Sequence, residues 1–468
     1  MKLILVINRI KYSTLLLIVL VGGCSEDIVQ PPISSVPELS EVSINNNPNN
    51  VVSAVVSVTA KNSASIRVEF GEDSFHTQYT PSFPVTGNST VAPVLGLRAN
   101  KTYLMRAVAV SSTGNTAASQ WYNFTTQSLP DNITRYSIVV NNSPAGGFVM
   151  LGFTGGGLTT SYAVIMNNNG EIIWYRKFNG PVTDFQKQPG GTYTVFSILD
   201  DRRSKFYELD GLGNLLHEYQ STATLETGPH ELLIRGTGYT LFGVEYRTMN
   251  LTQFGGLPNA TVRGLTVEHG GSGSFLWNTF DHLSVTEAMP DIPLNTQSVN
   301  PWHGNAIEID RDGNYLVSFR NSDMIVKVSS QTGNIIWRLG GRNNQFTFIN
   351  DLYNGFSHQH AIRRLDNGNI ILFDNGNLHS PQVSRTAEYV LDENNKTATL
   401  VWQYIPSPSL YASALGYAQR LANGNTLICF GTAQRITEVD MSGAKRWELS
   451  IDEPQRFSYR AFKINTLY

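Results

Sequence analysis

A hairpin pattern recurs along most of this chain: an apolar strand, a turn of Asp, Asn and Gly, and a second strand that reaches a tryptophan. Copies run from Ala163 to Trp174, through Phe275 to Trp277, from Val326 to Trp337, from Tyr389 to Trp402 and from Thr437 to Trp447. A sixth copy, Tyr207 to Leu216, lacks the tryptophan. The spacing is roughly 42 to 65 residues. One such unit cannot bury its apolar face alone, and a series of them stacks into a shared core. The repeats therefore predict an all-β chain whose residues 133–468 form a six-bladed β-propeller. The segment Tyr459 to Tyr468 is expected to close the ring against the first blade.

Upstream the pattern differs. Residues 39–128 carry short apolar or alternating strands, among them Val51 to Thr59 and Ser65 to Phe70. The stretch from Leu97 to Tyr103 resembles the tyrosine-bearing corner of a fibronectin type III sandwich. It predicts a small β-sandwich acting as a spacer or interaction module. Residues 24–38, with Pro31, Pro32 and Pro37, read as an extended tether. Residues 1–23 hold Lys2, Arg9 and Lys11, an apolar run from Leu15 to Val21, then Gly22 and Gly23 before Cys24. This resembles a bacterial lipoprotein signal, which implies export, cleavage before Cys24 and a lipid anchor there, with the outer membrane as the expected address. A short membrane-spanning segment is the alternative. The other cysteine, Cys429, sits in an apolar strand and reads as a buried thiol.

Charge narrows the function classes. With 34 basic and 37 acidic residues the chain has no electrostatic footprint for nucleic acid.

A second hairpin type lies between the tryptophan copies, best seen in SHQHAIRRLDNGNIILFDNGN from Ser357 to Asn377. Eight residues before Gly238, Gly313, Gly368 and Gly424 stand His230, Asn305, His360 and Gly416. Ten before Gly313 and Gly368 stand His303 and His358, and seven after them stand Arg320 and Asn375. Positions equidistant from a hairpin turn lie at the same end, and strand residues two apart share a face. If those ends are extended, His303 faces with Asn305 and His358 with His360. The count gathers His230, His303, Asn305, Arg320, His358, His360 and Asn375 at one mouth of the central channel. His217, His269, His282 and His379 fall outside the register and read as structural or surface residues, and His76 as a surface residue. Arg385 reads as an ion pair with Glu388. Simpler roles stand beside the functional ones: Arg320 paired with Asp323, and Asn305 capping a turn. Trp302, Tyr411, Tyr417 and Tyr459 read as packing residues that could also stack on an aryl ring.

The stretches Pro301 to Asn305 through Arg320, Gln359-His360 through Gly376, Arg385 through Trp402 and Gln419 to Leu427 resemble the bacterial arylsulfotransferases. The resemblance covers most of residues 136–468. It implies a propeller behind a smaller N-terminal β-domain, on which a histidine takes a sulfuryl group from an aryl sulfate and passes it to a phenol. No nucleotide sulfate, cofactor or metal is implied. Carried over by motif, His360 becomes the nucleophile that forms sulfohistidine, His303, Asn305 and Arg320 hold the sulfate, and His230 is the remaining active-site histidine. His358 and Asn375 join them as substrate-binding residues by register. Pro229 stands where another histidine is expected, Gly304 is smaller than the usual residue, and a cysteine pair is missing. Those departures bear on substrate range.

The residue types suit that reaction. Sulfuryl transfer should resemble phosphoryl transfer, with a loose transition state whose charge spreads over three oxygens. Arg320 offers a forked pair of charged donors, His303 and Asn305 add neutral ones, and a neutral imidazole is a competent nucleophile. His230 or His303 would protonate the departing phenolate and deprotonate the acceptor. Two other classes remain. His230, His303, His358 and His360 could ligate a transition metal in a propeller enzyme. The chain could also be a surface propeller that only binds glycan or protein.

Overall fold

The computed structural model describes residues 36–199, 204–221, 225–270 and 275–468. Cys24, the signal and nearly all of the tether lie outside the described residues.

Strict alternation builds the N-terminal domain. In Ala54–Lys61 every second side chain is buried, so the strand presents one apolar face. It pairs with Glu38–Asn46 and Ser89–Val94 in one sheet, which faces a second sheet centred on Ser65–Gly71 and Thr102–Val110. Val56, Val58, Ile66, Val68, Met105 and Ala107 fill the space between them. The Tyr103 hydroxyl accepts the Arg98 backbone N–H at 2.9 Å, fixing the corner between strands. The domain is therefore a two-sheet sandwich.

Beyond it the described residues form six sheets of four or five strands. Their inner strands are Thr183–Lys187, Glu226–Arg235, Gly304–Ile309, His360–Arg364, Tyr417–Arg420 and Phe457–Ile464. Each packs against the next sheet, and the last returns to the first, so the six close a propeller ring. Closure is made twice. The C-terminal strand Phe457–Ile464 is the inner strand of the first sheet, paired with Phe148–Thr154. Tyr136–Asn141, from the other end of the domain, is the outer strand of the last sheet, paired with Lys445–Ile451.

The tryptophans of the repeat join neighbouring sheets. Trp174 Nε1 donates to Gly211 O at 2.8 Å, Trp337 to Glu393 Oε2 at 2.9 Å, Trp402 to Met441 O at 3.1 Å and Trp447 to Asn168 O at 2.8 Å. Every acceptor lies in the outer turn of the following sheet. Trp277 reaches the Gly333 turn by contact instead. The copy without a tryptophan places His217 opposite Glu208, the register that Trp447 occupies opposite Glu438. Its imidazole is exposed. Cys429 is buried, and burial raises its thiol to about 11.

Candidate active site

At one end of the channel the inner strands depart from ideal pairing. Register shifts fall between Thr183 and Gln186, Thr227 and Leu232, Gly304 and Ala306, and His360 and Arg363. Bulges at equivalent places turn successive side chains toward the axis. Asp184, His303, His358 and Ala361 take positive φ of 46°, 52°, 54° and 58°. Strand alternation therefore fails at His303 and His358, and neither pair shares a face by simple extension. Gly304 fills a close contact: a Cβ there would stand 2.7 Å from Leu265 Cδ1.

His360 is fully buried, and its Nδ1 lies 2.7 Å from Asn375 Oδ1 and 3.2 Å from the His358 carbonyl. Asn375 Nδ2 donates to Ala412 O at 2.7 Å and Leu415 O at 2.9 Å, so its oxygen must face the imidazole. With acceptors on that side, the hydrogen-bond network assigns the proton to Nδ1 and leaves the lone pair on Nε2. Among the described residues Nε2 has no hydrogen-bond partner.

His303 has the opposite tautomer. Asn300 Oδ1 accepts the His303 backbone N–H at 3.1 Å, which turns Asn300 Nδ2 toward His303 Nδ1 at 3.0 Å. The proton is then on Nε2, which becomes a donor. The His230 ring stands 5.1 Å from that of His303 and stacks on Tyr459 at 5.4 Å. Burial, with Arg320 and Arg263 nearby, lowers His303 to about 3. Burial also holds His230 and His360 well below the ordinary imidazole range, helped by neighbouring histidines and, for His360, by Arg320. All three rings are neutral at physiological pH.

Arg320 bonds only to neutral acceptors, Asn321 Oδ1 at 2.7 Å and Ser413 O at 2.9 Å. Asp323 does not pair with it. That carboxylate stands 3.0 Å from His358 Nδ1 and accepts the His358 backbone N–H at 2.7 Å. Asp291 stands 3.0 Å from His358 Nε2. Arg320 thus brings a positive charge to the histidines without a direct carboxylate pair, with Asp291 and Asp323 acting on it from further off.

The structure brings His230, His303, Arg320 and His360 together as the register count expects. It gives three of the counted residues supporting places. His358 is buried between two carboxylates, and Asn375 orients His360. Asn305 is buried, and its Nδ2 donates to Gln359 O at 2.7 Å, one residue before His360. Arg385 pairs with Asp351 and Asp374, both at 2.8 Å, while Glu388 pairs with Arg420. Trp302 and Tyr417 are buried packing residues, whereas Tyr459 faces the site. No group of three or more His, Cys, Asp or Glu has a metal-binding arrangement among the described residues.

Sequence reasoning missed Asn300 and Arg263. Asn300 carried a usable signal, an Asn before Pro301 in a turn leading into the histidine. Arg263 carried none, because it stands on the third strand of its sheet, outside the hairpin count.

Beneath the histidines lies a buried ionic floor. Arg460 donates to Asp184 and Glu231, and Arg363 donates to Glu231 at 2.9 Å and 3.0 Å. Arg460 Nη2 also donates to Asn305 O at 3.0 Å. The C-terminal strand thereby fixes the level of the strand bearing Asn305.

Comparison with known proteins gives one family. No curated protein matches the chain. Similar solved structures include a protein of unknown function from Bacteroides caccae, at 14% identity and TM-score 0.37, covering 65% of this chain and 94% of that one. Another is an inactive virginiamycin B lyase variant from Staphylococcus aureus with quinupristin, at 10% identity and TM-score 0.36, covering 68% and 89%. Likeness at that level carries no functional argument. The model of the Arylsulfotransferase (ASST) family matches residues 151–460, a span that includes all four clustered residues and well over half of the sequence. The chain belongs to the arylsulfotransferase (ASST) family.

Proposed function

We propose that the protein moves a sulfuryl group from an aryl sulfate to a phenolic acceptor through a sulfohistidine at His360, without nucleotide sulfate. The observation that carries this reading is the free Nε2 of a neutral His360 beside Arg320, a cation with no carboxylate partner.

In the first half-reaction the Nε2 lone pair attacks sulfur. The N–S bond forms, the S–O bond to the aryl group breaks, and the phenolate takes the electron pair. The sulfurylated ring keeps its Nδ1 proton, and the resulting positive charge strengthens the bond to Asn375. Arg320 and the Nε2–H of His303 meet the charge on the sulfuryl oxygens. In the second half-reaction a phenolic oxygen attacks sulfur and the N–S bond returns its electrons to His360. Because His230 and His303 are neutral in the free protein, they serve as hydrogen-bond partners first. Bound sulfate offsets the arginine field and raises their proton affinity toward a role in proton transfer.

The test is incubation with 4-nitrophenyl sulfate, with mass spectrometry of the peptide carrying His360. The expected result is an added sulfuryl group on His360 and release of nitrophenol, both lost in His360→Ala. Absence of the adduct and of phenol release across several aryl sulfates would overturn the reading.

The remaining sequence features support proposals about placement. Cys24 would carry a lipid anchor that holds the chain in the bacterial envelope, and the sandwich, fibronectin type III-like in its corner, would set the propeller's height above the membrane. Labelling with a fatty acid that persists in Cys24→Ser would sink the anchor.

A further inference from the structure

A cavity of about 560 Å³ lies between the second and third sheets. Pro229, the residue before His230, forms part of its wall, together with Phe196, Thr227, Val244 and Arg263. Its size suits a single aromatic ring with a short substituent. Phe196 and Val244 supply apolar surface, and the exposed Glu226 stands at the rim, where it accepts from the Tyr246 hydroxyl at 3.3 Å.

Arg263 is the unusual group in this wall. It is partly buried, its Nε is shielded from solvent and lacks a partner, and no carboxylate lies within ion-pair distance among the described residues. Arg363, Arg364, Arg385, Arg420 and Arg460 each pair with carboxylates, whereas Arg320 and Arg435 bond neutral oxygens. A partly exposed guanidinium with an unpartnered Nε keeps N–H donors available to an anion. On its own face of the sheet the acid that shares the cavity wall is Glu226, which makes no ion pair with it, while Glu245 on the opposite face is engaged by Arg247 and Asn278. Arg320 serves His303 and His360, whereas Arg263 lies on the side of His230 and His303. Two arginines without a carboxylate pair among the described residues, Arg320 and Arg263, therefore border the histidines, and there is only one sulfuryl group to bind.

We propose that Arg263 binds a carboxylate on the aryl substrate, so that the preferred acceptors are phenols bearing a carboxylate, with the ring lying in the cavity against Pro229 and Val244. This inference rests on the sulfuryl transfer proposed above. A planar fork of N–H donors matches a two-oxygen carboxylate. The reaction itself is unchanged: the phenolic oxygen gains the sulfuryl group as the N–S bond to His360 breaks, and its proton passes to His230 or His303.

The experiment compares 3-(4-hydroxyphenyl)propanoate with its amide, two acceptors with alike phenols, on the full chain and on Arg263→Gln and Arg263→Lys. The donor is 4-nitrophenyl sulfate. The wild type should prefer the acid, and the acid-to-amide ratio of kcat/KM should fall about 10–100-fold in Arg263→Gln, mainly through KM, with partial recovery in Arg263→Lys. An unchanged ratio overturns the proposal, including the case in which both acceptors lose equally and Arg263 serves the sulfuryl group. Calorimetric binding of the same two compounds separates this inference from the reaction. Selective binding of the acid that Arg263→Gln abolishes upholds the site even if His360 takes up no sulfuryl group. Equal binding of acid and amide overturns it whether or not transfer occurs.

Discussion

Whether His360 is a nucleophile depends on where one proton sits. The Asn375 amide, locked by two carbonyls, sets that position through a 2.7 Å contact with Nδ1. Asn375→Ala should leave the ring free to rotate and change tautomer. The burst of nitrophenol from an aryl sulfate should slow by about 100-fold, the usual scale for a misplaced reacting group. A burst of unchanged rate would mean that Asn375 does not orient the ring. The pH dependence follows from the same residue. Burial and Arg320 hold His360 well below its ordinary value, so the single-turnover rate should stay flat as pH falls through about 6.5, where a free imidazole would be half protonated. An adjacent cation disfavours the imidazolium, and its removal has the opposite sign. Arg320→Gln should therefore move the acid limb to higher pH while lowering the rate by about 10²–10³-fold. Much of this was legible in sequence, because hairpin turns count distance reliably: His230, His303, Arg320 and His360 meet as counted. The directions of side chains at the bulges were not legible. His358 stands two residues from His360, yet a φ of 54° turns its ring between Asp291 and Asp323.

At the level of elements, the loop before the His360 strand is held by one side chain. Arg385 is fully buried and reaches Asp351, Asp374, Gln403, Tyr389 and the Gly355 carbonyl. Asp374 in turn accepts the Ser357 N–H at 2.9 Å and binds His379 at 2.8 Å. Ser357 through His360 thus inherits its path from a strand two positions outward in the same sheet. Sequence reasoning placed Arg385 in an ion pair but chose the neighbour in the chain, Glu388. Residues three apart on a strand point to opposite faces, and the true partners come from a loop and an adjacent strand. Removing the guanidinium leaves Asp351 enclosed without a cation and Asp374 with only His379, which costs about 3–5 kcal/mol. Arg385→Met should lower the apparent Tm and slow sulfuryl uptake together. A variant that melts normally would show that the loop is held by other contacts.

At the scale of the whole molecule, closure and the candidate site share a strand. Phe457–Ile464 completes the first sheet and also carries Tyr459, which stacks on His230, and Arg460, which ties Asp184, Glu231 and Asn305 together. The repeat made the ring legible, whereas the cross-channel pairing of distant charges depended on the closed ring and had no local signature. The sandwich is bound to the same body: Asn47 donates to Leu212 O at 2.8 Å, and the Leu95 N–H donates to the Tyr468 hydroxyl at 3.0 Å. Gathering neutral histidines at the axis makes the stability of this body depend on pH. His303 has an ordinary affinity near pH 6.5 in the unfolded chain and about 3 in the folded one. Between those values the unfolded state binds the extra proton, so the contribution of His303 is intact above about 6.5 and erodes as pH falls toward 3. The slope is at most about 1.4 kcal/mol per pH unit, less because the ring keeps some contact with water. His303→Asn removes this titration while the other acids and histidines remain common to both proteins. As pH falls from 7 to 4, the apparent Tm of the wild type should drop faster than that of His303→Asn. Parallel curves would mean that His303 takes up its proton as readily in the folded ring as in the open chain.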